Sequence, residues 1–390
     1  MAYKPSPPPP HLDRDVGLDN TPQHFVGPAN AAKLHKHYLT EINENETVWR
    51  ERYTFLLGRG FELRSRYRPD WTPSWLGTTL DPAYCDDSIE QIIPMVLDAK
   101  RRRDDTIVCI KLIEKKTNEV DIGRYLSSEI MLRDSRNHCV PILDTFRDPF
   151  VPEVEFIVMP ILRPYDDPEF LAIGEVVDFT TQILEGMEFM HRHLVAHGDL
   201  TGPNIMMDAR PILPHGWHFV ADNCLPNGVN QLSPLARIDH PVRYYIVDYD
   251  CSMKLQPGKS HIVKGFGGRD GDVPEIAKHQ PHDPFKVDVF TVGNTLYKDF
   301  YQRYHGLEFL KSLIDFMMTQ DFRQRPTAQT AIQHWYNIRS GLDVSVARWR
   351  LRKRDETVRE RVLLDTVAAA RHGIYSVKRL FNGDDKKVWT

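Results

Sequence analysis

The chain has 390 residues and a net charge of −4, so its charge does not favour nucleic acid as the main partner. Hydrophobic residues make up 41% of the sequence and charged residues 27%, which excludes a wholly disordered chain. The length exceeds what one hydrophobic core supports, and it predicts either two domains or one bilobal unit with appendages.

The cysteine content and the lack of long apolar runs favour an intracellular location, cytoplasmic or nuclear. The five cysteines show no CxxC spacing, so we expect reduced thiols rather than a disulfide framework. No apolar run reaches the ~18 residues of a membrane-spanning helix, so no membrane partner is expected. The start, MAYKPSPPPP, lacks the apolar core of a signal peptide.

The first third of the chain is predicted to be a tail followed by an extension. Residues 1–30 are rich in proline and polar residues, which favours a disordered or polyproline II tail. As an alternative, Pro5–Pro10 is a candidate SH3-type ligand. Residues 31–94 form the extension, in which 31–57 has helical spacing. Phe61–Gly77 alternates aromatic residues, arginines and prolines, and is expected to cover the outside of a lobe.

Strands and then helices follow, which predicts an α+β fold with a small β-rich N-lobe and a larger helical C-lobe. A hairpin joins MVLDAK to TIVCIKLI through a charged turn, and a strand is expected in VEFIVMPI. Helices are expected over 120–136 and 175–193, and in several pieces between 287 and 335. The predicted domain is 95–336 with an insert at 208–243, and 337–390 is a basic helical extension.

Two short motifs place acids and an amide at a spacing that suits phosphoryl transfer. HGDLTGPN spans His197–Asn204, and YYIVDYD spans Tyr244–Asp250. Asp199 has the position of a base that accepts a hydroxyl proton, and Asn204 and Asp248 those of two Mg²⁺ ligands. Phosphoryl transfer needs positioning and charge neutralisation around Mg²⁺ and ATP, so both are the expected cofactors.

An ordered series of motifs resembles the eukaryotic protein kinase family, in a divergent form similar to the kinase-like proteins of fungi. The resemblance covers residues 95–336 and implies a bilobal kinase fold. In chain order, the similar segments are VCIK (Val108–Lys111), Glu129 as the helix glutamate, HGDLTGPN, DYD (Asp248–Asp250), VPE (Val273–Glu275), DVFTVG (Asp288–Gly293) and RPTA (Arg325–Ala328).

The resemblance implies roles for further residues. Lys111 would hold the α- and β-phosphates, and Glu129 would orient it as its ion-pair partner. His197 would be a core residue beneath Asp199. Glu275 and Arg325 would form a buried pair that stabilises the lower lobe. In the nucleotide pocket, the expected gatekeeper is Met159 and the expected hinge is Pro160, Ile161 and Leu162.

The chain also departs from the family pattern. No GxGxxG precedes Lys111, so the phosphate-covering loop is expected to be altered or absent. Gly198 stands where the family has an arginine that binds an activation-loop phosphate. Thr201 replaces the lysine that neutralises the γ-phosphate; its hydroxyl is a candidate partner of Asp199. Asp250, in place of a glycine, is either a further metal ligand or a capping residue. The insert is expected to be a surface flap near the substrate cleft.

Three functions remain open from the sequence. The first is an ATP-dependent protein kinase acting on a protein hydroxyl. The second is a pseudokinase that binds nucleotide or acts as a scaffold, favoured by the missing glycine loop and lysine. The third is a small-molecule phosphotransferase of the choline or aminoglycoside type, which VPE, DVFTVG and RPTA disfavour. In the C-terminal extension, WRLRKR (Trp349–Arg354) is either a nuclear import or acidic-partner signal, or part of a helix docked on the lower lobe.

Overall fold

The structure, a computed structural model, describes residues 40–115, 117–265 and 268–368. The proline-rich segment 1–30, with its predicted SH3-type ligand, lies outside these residues. An upper lobe is built on an antiparallel sheet of five strands. The strands are β1 (Phe61–Glu62), β2 (Val96–Arg101), β3 (Thr106–Glu114), β4 (Asp144–Arg147) and β5 (Val154–Pro160), in the order β1-β2-β3-β5-β4.

The side chains of strand β3 alternate between the two faces of this sheet. Val108, Ile110 and Leu112 are buried on the outer face. Because successive side chains in a strand point to opposite faces, Cys109 and Lys111 project from the inner face. The register pairs Lys111 with Val96 of β2. The predicted hairpin and the predicted strand at 154–161 are thus confirmed.

Helix α1 (Glu44–Gly58) covers the outer face of the sheet. Trp49 and Leu56 are fully buried there and belong to the same core as Phe156 of β5. The helix begins at Glu44 because Asn43 and Glu46 form a capping box. The predicted helix over 31–57 is confirmed from residue 44, and residues 31–39 lie outside the described part of the chain.

The extension after α1 joins this outer core, as the alternation in Phe61–Gly77 predicted. Phe61, Leu63 and Tyr67 are buried in it. A fully buried ion pair fixes the extension, with Arg66 Nε 2.7 Å and Nη2 2.8 Å from the two carboxylate oxygens of Glu46.

The prediction of a single helix over 120–136 is wrong, because the structure has two short helices there. They are α2 (Glu119–Leu126) and α3 (Glu129–Leu132). At the break, the Ser127 hydroxyl accepts a hydrogen bond of 2.8 Å from the backbone N–H of Ile142. Serine side chains that bond to distant backbone in this way compete with helix continuation.

The lower lobe is mostly helical around one large core that contains Phe179, Leu184 and Trp335. The bilobal α+β architecture expected from the sequence is confirmed. Its helices are α4 (Ile173–Arg192), α5 (Pro274–Ala277), α6 (Pro284–Thr295), a π-helical turn (Leu296–Tyr301), α7 (Lys311–Met317) and α8 (Ala328–Ser340). Its strands are β6 (Arg163–Pro164), β7 (Val195–Ala196), β8 (Ile205–Asp208), β9 (Arg243–Ile246), β10 (Met253–Lys254), β11 (Tyr304–His305) and β12 (Arg352–Lys353).

The insert lies between the paired strands β8 and β9. The expectation of a surface flap is wrong, because Ile212, Leu213 and Trp217 are buried in the lower-lobe core. The insert also reaches the upper lobe, where His218 Nε2 lies 2.9 Å from Asp86 Oδ1. It therefore contacts the long connection between β1 and β2.

A last helix is described over residues 358–368. Leu364 and Val367 line a cavity together with Leu171 and Ile238 of the lower lobe. The predicted docking is confirmed only for this side of the helix, because Val358, Val362 and Leu363 are exposed. The basic segment itself is not helical, since Arg352–Lys353 forms β12 and pairs with β11. Within the basic segment, Arg350 is 2.7 Å from oxygens of both Glu356 and Asp365, so part of its charge is neutralised within the chain. Nowhere in the described ranges is a helix long and apolar enough to cross a bilayer.

The expected ion pair of the lower lobe is present and almost fully buried. Arg325 Nη1 lies 2.6 Å from Glu275 Oε1, and Nη2 lies 3.0 Å from Oε2. The side chains are 0% and 2% exposed. Arg325 also donates to the carbonyl oxygen of Lys286 at 2.7 Å. It thereby links the activation segment, which is the stretch between Asp250 and Glu275, to α6 and to the loop before α8.

We expect Arg325→Met to lower the free energy of unfolding by about 3–5 kcal/mol, because it leaves the Glu275 carboxylate buried without its partner. Urea denaturation measures the change. Lys311→Met is the matched control, since its pair with Asp315 is exposed and such pairs contribute little to stability. Equal losses in the two variants would contradict a structural role for the buried pair.

Candidate active site

Lys111 joins two carboxylates at the boundary between the lobes. Its Nζ lies 2.7 Å from Glu119 Oε1 and 2.6 Å from Asp248 Oδ1. Burial alone would lower the pKa of Lys111, but attraction from the two acids outweighs it and the pKa is raised. Burial raises the pKa of Glu119 despite the lysine. For Asp248, Lys111 outweighs the effect of burial, so the pKa is lowered and the charged form is favoured.

The predicted pairing of Lys111 with Glu129 is therefore wrong. Glu129 begins α3, its side chain is 82% exposed, and it pairs with Arg133. Because α2 ends at Leu126, the chain turns before residue 129 and directs that side chain to solvent. Glu119, in the first turn of α2, is buried. It lies eight positions after Lys111, at the start of an amphipathic segment, and that was the signal available in the sequence.

Asp199 and Asn204 lie together in the loop after β7. Asn204 Nδ2 donates to the backbone oxygen of Asp199 at 2.7 Å and to its Oδ2 at 3.0 Å. Asp199 is only 1% exposed, so these donors and those from Arg269 replace the water that its carboxylate would otherwise bind. Asn204 ends a 3₁₀ turn, Gly202–Asn204, just before β8.

Asp288 of α6 holds the start of this loop in place. Its Oδ2 accepts from the backbone N–H of His197, and its Oδ1 from that of Gly198, each at 2.8 Å. His191 Nε2 lies 2.8 Å from the same Oδ2. The DVFTVG motif was assigned only as a helix start, so this anchoring role was missed.

His197 is a fully buried structural residue, as expected. Its Nε2 is 3.0 Å from the carbonyl oxygen of Val247, which requires Nε2 to carry the hydrogen. Its Nδ1 accepts from the backbone N–H of Asp199 at 3.2 Å. The ring thus ties the two motifs together, and Tyr249, the middle residue of DYD, packs edge-on against it.

The backbone conformation at residue 198 requires a glycine, in addition to the absence there of the family's phosphate-binding arginine. Its φ is +81°, and a Cβ at this position would lie 2.4 Å from the carbonyl oxygen of Cys251. L-residues rarely adopt this conformation, and here the space is closed as well. Asp248 also has a left-handed φ of +67°, which turns its carboxylate towards Lys111.

Thr201 does not play the role suggested for its hydroxyl. Its Oγ1 is buried and has no hydrogen-bond partner among the described residues. Only its backbone N–H reaches Asp199, donating to the backbone oxygen at 2.8 Å. Thr201 therefore offers neither a cation nor a hydroxyl contact to the carboxylate. Asp250, for its part, is exposed.

Arg269 is a second residue that the sequence did not reveal. Its Nε lies 3.0 Å from Asp199 Oδ2, and its Nη2 lies 3.5 Å from Asp248 Oδ2. Its backbone N–H also donates to Asp199 Oδ1 at 2.8 Å. No motif marks this residue, because its place depends on how the activation segment folds back. Asp199 and Asp248 thus share one cation and face the same space.

The residues predicted to form the nucleotide pocket lie at the end of β5 and just after it. Met159 is opposite Cys109 and shares the inner face with it, whereas Pro160 is opposite Val108 and shares the outer face. Ile161 and Leu162 follow as the connection to β6. Met159, Ile161 and Met206 are partly buried and form an apolar patch that is not closed.

The side-chain oxygens of Asp248 and Asn204 suit Mg²⁺, whereas the upper sheet has only part of what ATP binding needs. Asp248 is partly exposed, and no described residue donates to the amide oxygen of Asn204, which leaves two hard ligands of the kind Mg²⁺ prefers. For ATP, Lys111 is in place, but residues 63–95 replace a tight glycine loop between β1 and β2. Within that sheet Arg64 Nε lies 3.2 Å from Asp98 Oδ1, opposite Cys109.

Comparison with known proteins identifies the family. Residues 93–305 match the model of the protein kinase domain, which is more than half of the chain. The chain therefore belongs to the protein kinase domain family. It is also similar to the titin homolog of Caenorhabditis elegans, with 27% identity over 128 residues, 33% of this chain and 0% of that protein to the nearest per cent. The chain thus spans far less than two thirds of that relative.

We expect Gly198→Ala to destabilise the protein more than Gly258→Ala does. Both glycines have a left-handed φ, +81° and +72°, but a Cβ at Gly258 would meet no atom within 4 Å. Each substitution carries the backbone cost of about 1–2 kcal/mol, and Gly198→Ala adds overpacking of roughly 1–3 kcal/mol. Thermal and urea unfolding compare the two. Similar losses would show that Cys251 can move away freely.

Proposed function

We propose that this chain is an active ATP-dependent protein kinase that transfers a phosphoryl group to a protein hydroxyl. One observation carries the proposal: Lys111, Asp248, Asp199 and Asn204 form a single connected network, although they come from both lobes. Arg269 closes the network by contacting both aspartates. Phosphoryl transfer needs these groups around one nucleotide and its metal ion.

The groups divide the work as follows. Asp199 would accept the proton of the substrate hydroxyl, and its carboxylate is already oriented by Asn204 and by the backbone of Arg269. Lys111, oriented by Glu119, would bind the phosphates. Asn204 and Asp248 would hold Mg²⁺. When bound, Mg·ATP supplies the phosphoryl group and the neutralising divalent charge.

Several features support a protein as the substrate. The Glu275–Arg325 pair anchors the end of the activation segment, a feature not expected in the small-molecule phosphotransferases. Strand β10 at the start of this segment pairs with β7, so backbone hydrogen bonds hold that start in place. Of its two hydroxyls, Ser252 is buried and donates to the His197 carbonyl oxygen, and Ser260 is exposed. We infer activity that does not depend on activation-loop phosphorylation.

The cellular location that we propose is the cytoplasm or the nucleus. The five cysteines are free, as in a reducing compartment. We propose an SH3-type partner for Pro5–Pro10, and we propose no nucleic-acid or membrane partner.

One observation favours the second candidate, a nucleotide-binding pseudokinase or scaffold. The ion pair between Arg64 and Asp98 is largely buried in the upper sheet, opposite Cys109. This pair places charged groups on the face where a nucleotide base would pack, and residues 63–95 do not form a glycine loop that would cover the phosphates. A pseudokinase would retain the fold and the Lys111 network without turnover.

We expect Mg·ATP-dependent phosphorylation of generic protein substrates by the wild type, and its loss in Lys111→Met and Asp199→Asn. The structure supplies a matched pair: Glu119→Gln removes the buried partner of Lys111 and should lower kcat/KM at least about tenfold, whereas Glu129→Gln should not. Radiolabel transfer measures the rates.

Stabilisation by ATP without turnover favours the pseudokinase. Phosphorylation of amines, sugars or choline alone favours the small-molecule enzyme.

We expect Asp248→Asn to weaken the affinity for Mg·ATP more than Asp199→Asn does. Asp248 is the partly exposed carboxylate assigned to Mg²⁺, whereas Asp199 is buried behind its donors. Calorimetric titration of both variants with ATP, with and without Mg²⁺, tests this. Equal effects would contradict the assigned roles.

A further inference from the structure

The activation segment brings one cation into the candidate active site. Arg269 reaches Asp199 through its side chain, at 3.0 Å, and through its backbone N–H, at 2.8 Å. Its Nη2 is 3.5 Å from Asp248 Oδ2. Lys111 contacts the other oxygen of Asp248, so cations from both lobes reach this pair of aspartates.

The backbone on both sides of Arg269 is fixed. A Cβ on Gly268 would lie 2.4 Å from the carbonyl oxygen of Gly198 and 2.5 Å from Asp199 Oδ1, so only glycine allows this approach. On the other side, Asn294 Nδ2 donates to the carboxylate of Asp270 at 3.0 and 2.9 Å and to Asp272 Oδ2 at 3.1 Å. The position of Arg269 is thus set by packing and hydrogen bonds at its neighbours.

The guanidinium itself is less constrained than this backbone. The Arg269 side chain is 63% exposed, so water screens its ion pairs more than it would those of a buried arginine. Guanidinium has five N–H donors, and the contacts to Asp199 and Asp248 occupy only Nε and Nη2. The side chain can therefore turn to another anion while the backbone N–H stays on Asp199.

The catalytic loop lacks a cation at the matching place. Thr201 stands where the family has a lysine, and its buried hydroxyl has no partner among the described residues. We propose that Arg269 supplies, from the activation segment, the positive charge that the loop has lost at Thr201, and that it binds the terminal phosphate of ATP. This inference rests on the proposed function, because it needs a nucleotide in the site.

The test compares binding of Mg·ATP and Mg·ADP by calorimetry, using the full chain. Arg269→Gln should weaken Mg·ATP by about 10-fold to 100-fold, the effect of losing a charged hydrogen bond, and should leave Mg·ADP unchanged, because ADP lacks the terminal phosphate. Arg133→Gln is the matched control. It removes an exposed arginine that pairs with a carboxylate outside the site, and it should alter neither affinity.

A second variant tests whether the charge, rather than the residue, is what matters. Thr201→Lys in the Arg269→Gln protein should restore much of the preference for ATP over ADP, and failure to restore it in a folded protein would count against the shared role. Equal weakening of ATP and ADP by Arg269→Gln, or tighter binding of ATP, would overturn the inference; tighter binding would mean that Arg269 blocks the site. A wild type that binds neither nucleotide overturns the proposed function as well.

Discussion

The close approach of Asp199 and Asp248 depends on the cations that lie beside and between them. Two carboxylates that face one space repel each other, and Lys111 and Arg269 offset that repulsion from opposite sides. The rest of the architecture serves this arrangement. The pairing of β3 with its neighbours sets the position of the lysine, and Asp288 fixes the loop that carries Asp199. Without either support, the charges would not meet.

The unusual residues of the chain form a consistent set. Gly198 is required because the carbonyl oxygen of Cys251 leaves no room for a side chain, and Asn294 holds Asp270 and Asp272 of the activation segment in place. We propose that Arg269 supplies the positive charge that is absent at residue 201. These departures alter where the charges come from while the network around Asp199 is kept.

Strong local patterns made much of the fold predictable. Alternation in TIVCIKLI identified the strand of Lys111, and spaced motifs identified Asp199, Asn204 and Asp248. The Glu275–Arg325 pair followed from resemblance and is confirmed. The partner of Lys111 was missed, because counting positions cannot reveal that a serine ends the helix before residue 129. Arg269 could not be found either, since its place depends on long-range folding of a segment without regular structure.

The segment between β1 and β2 and the insert between β8 and β9 meet across the lobe boundary. Asp86 pairs with His218, and a Cβ at Gly228 would lie 2.5 Å from Ile89 Cδ1. Each surface is shaped by the other, so neither segment can be shortened alone without leaving its counterpart uncovered. In evolution the two should therefore be gained, lost and changed in length together, and their joint presence would mark the chains that descend from the same ancestor.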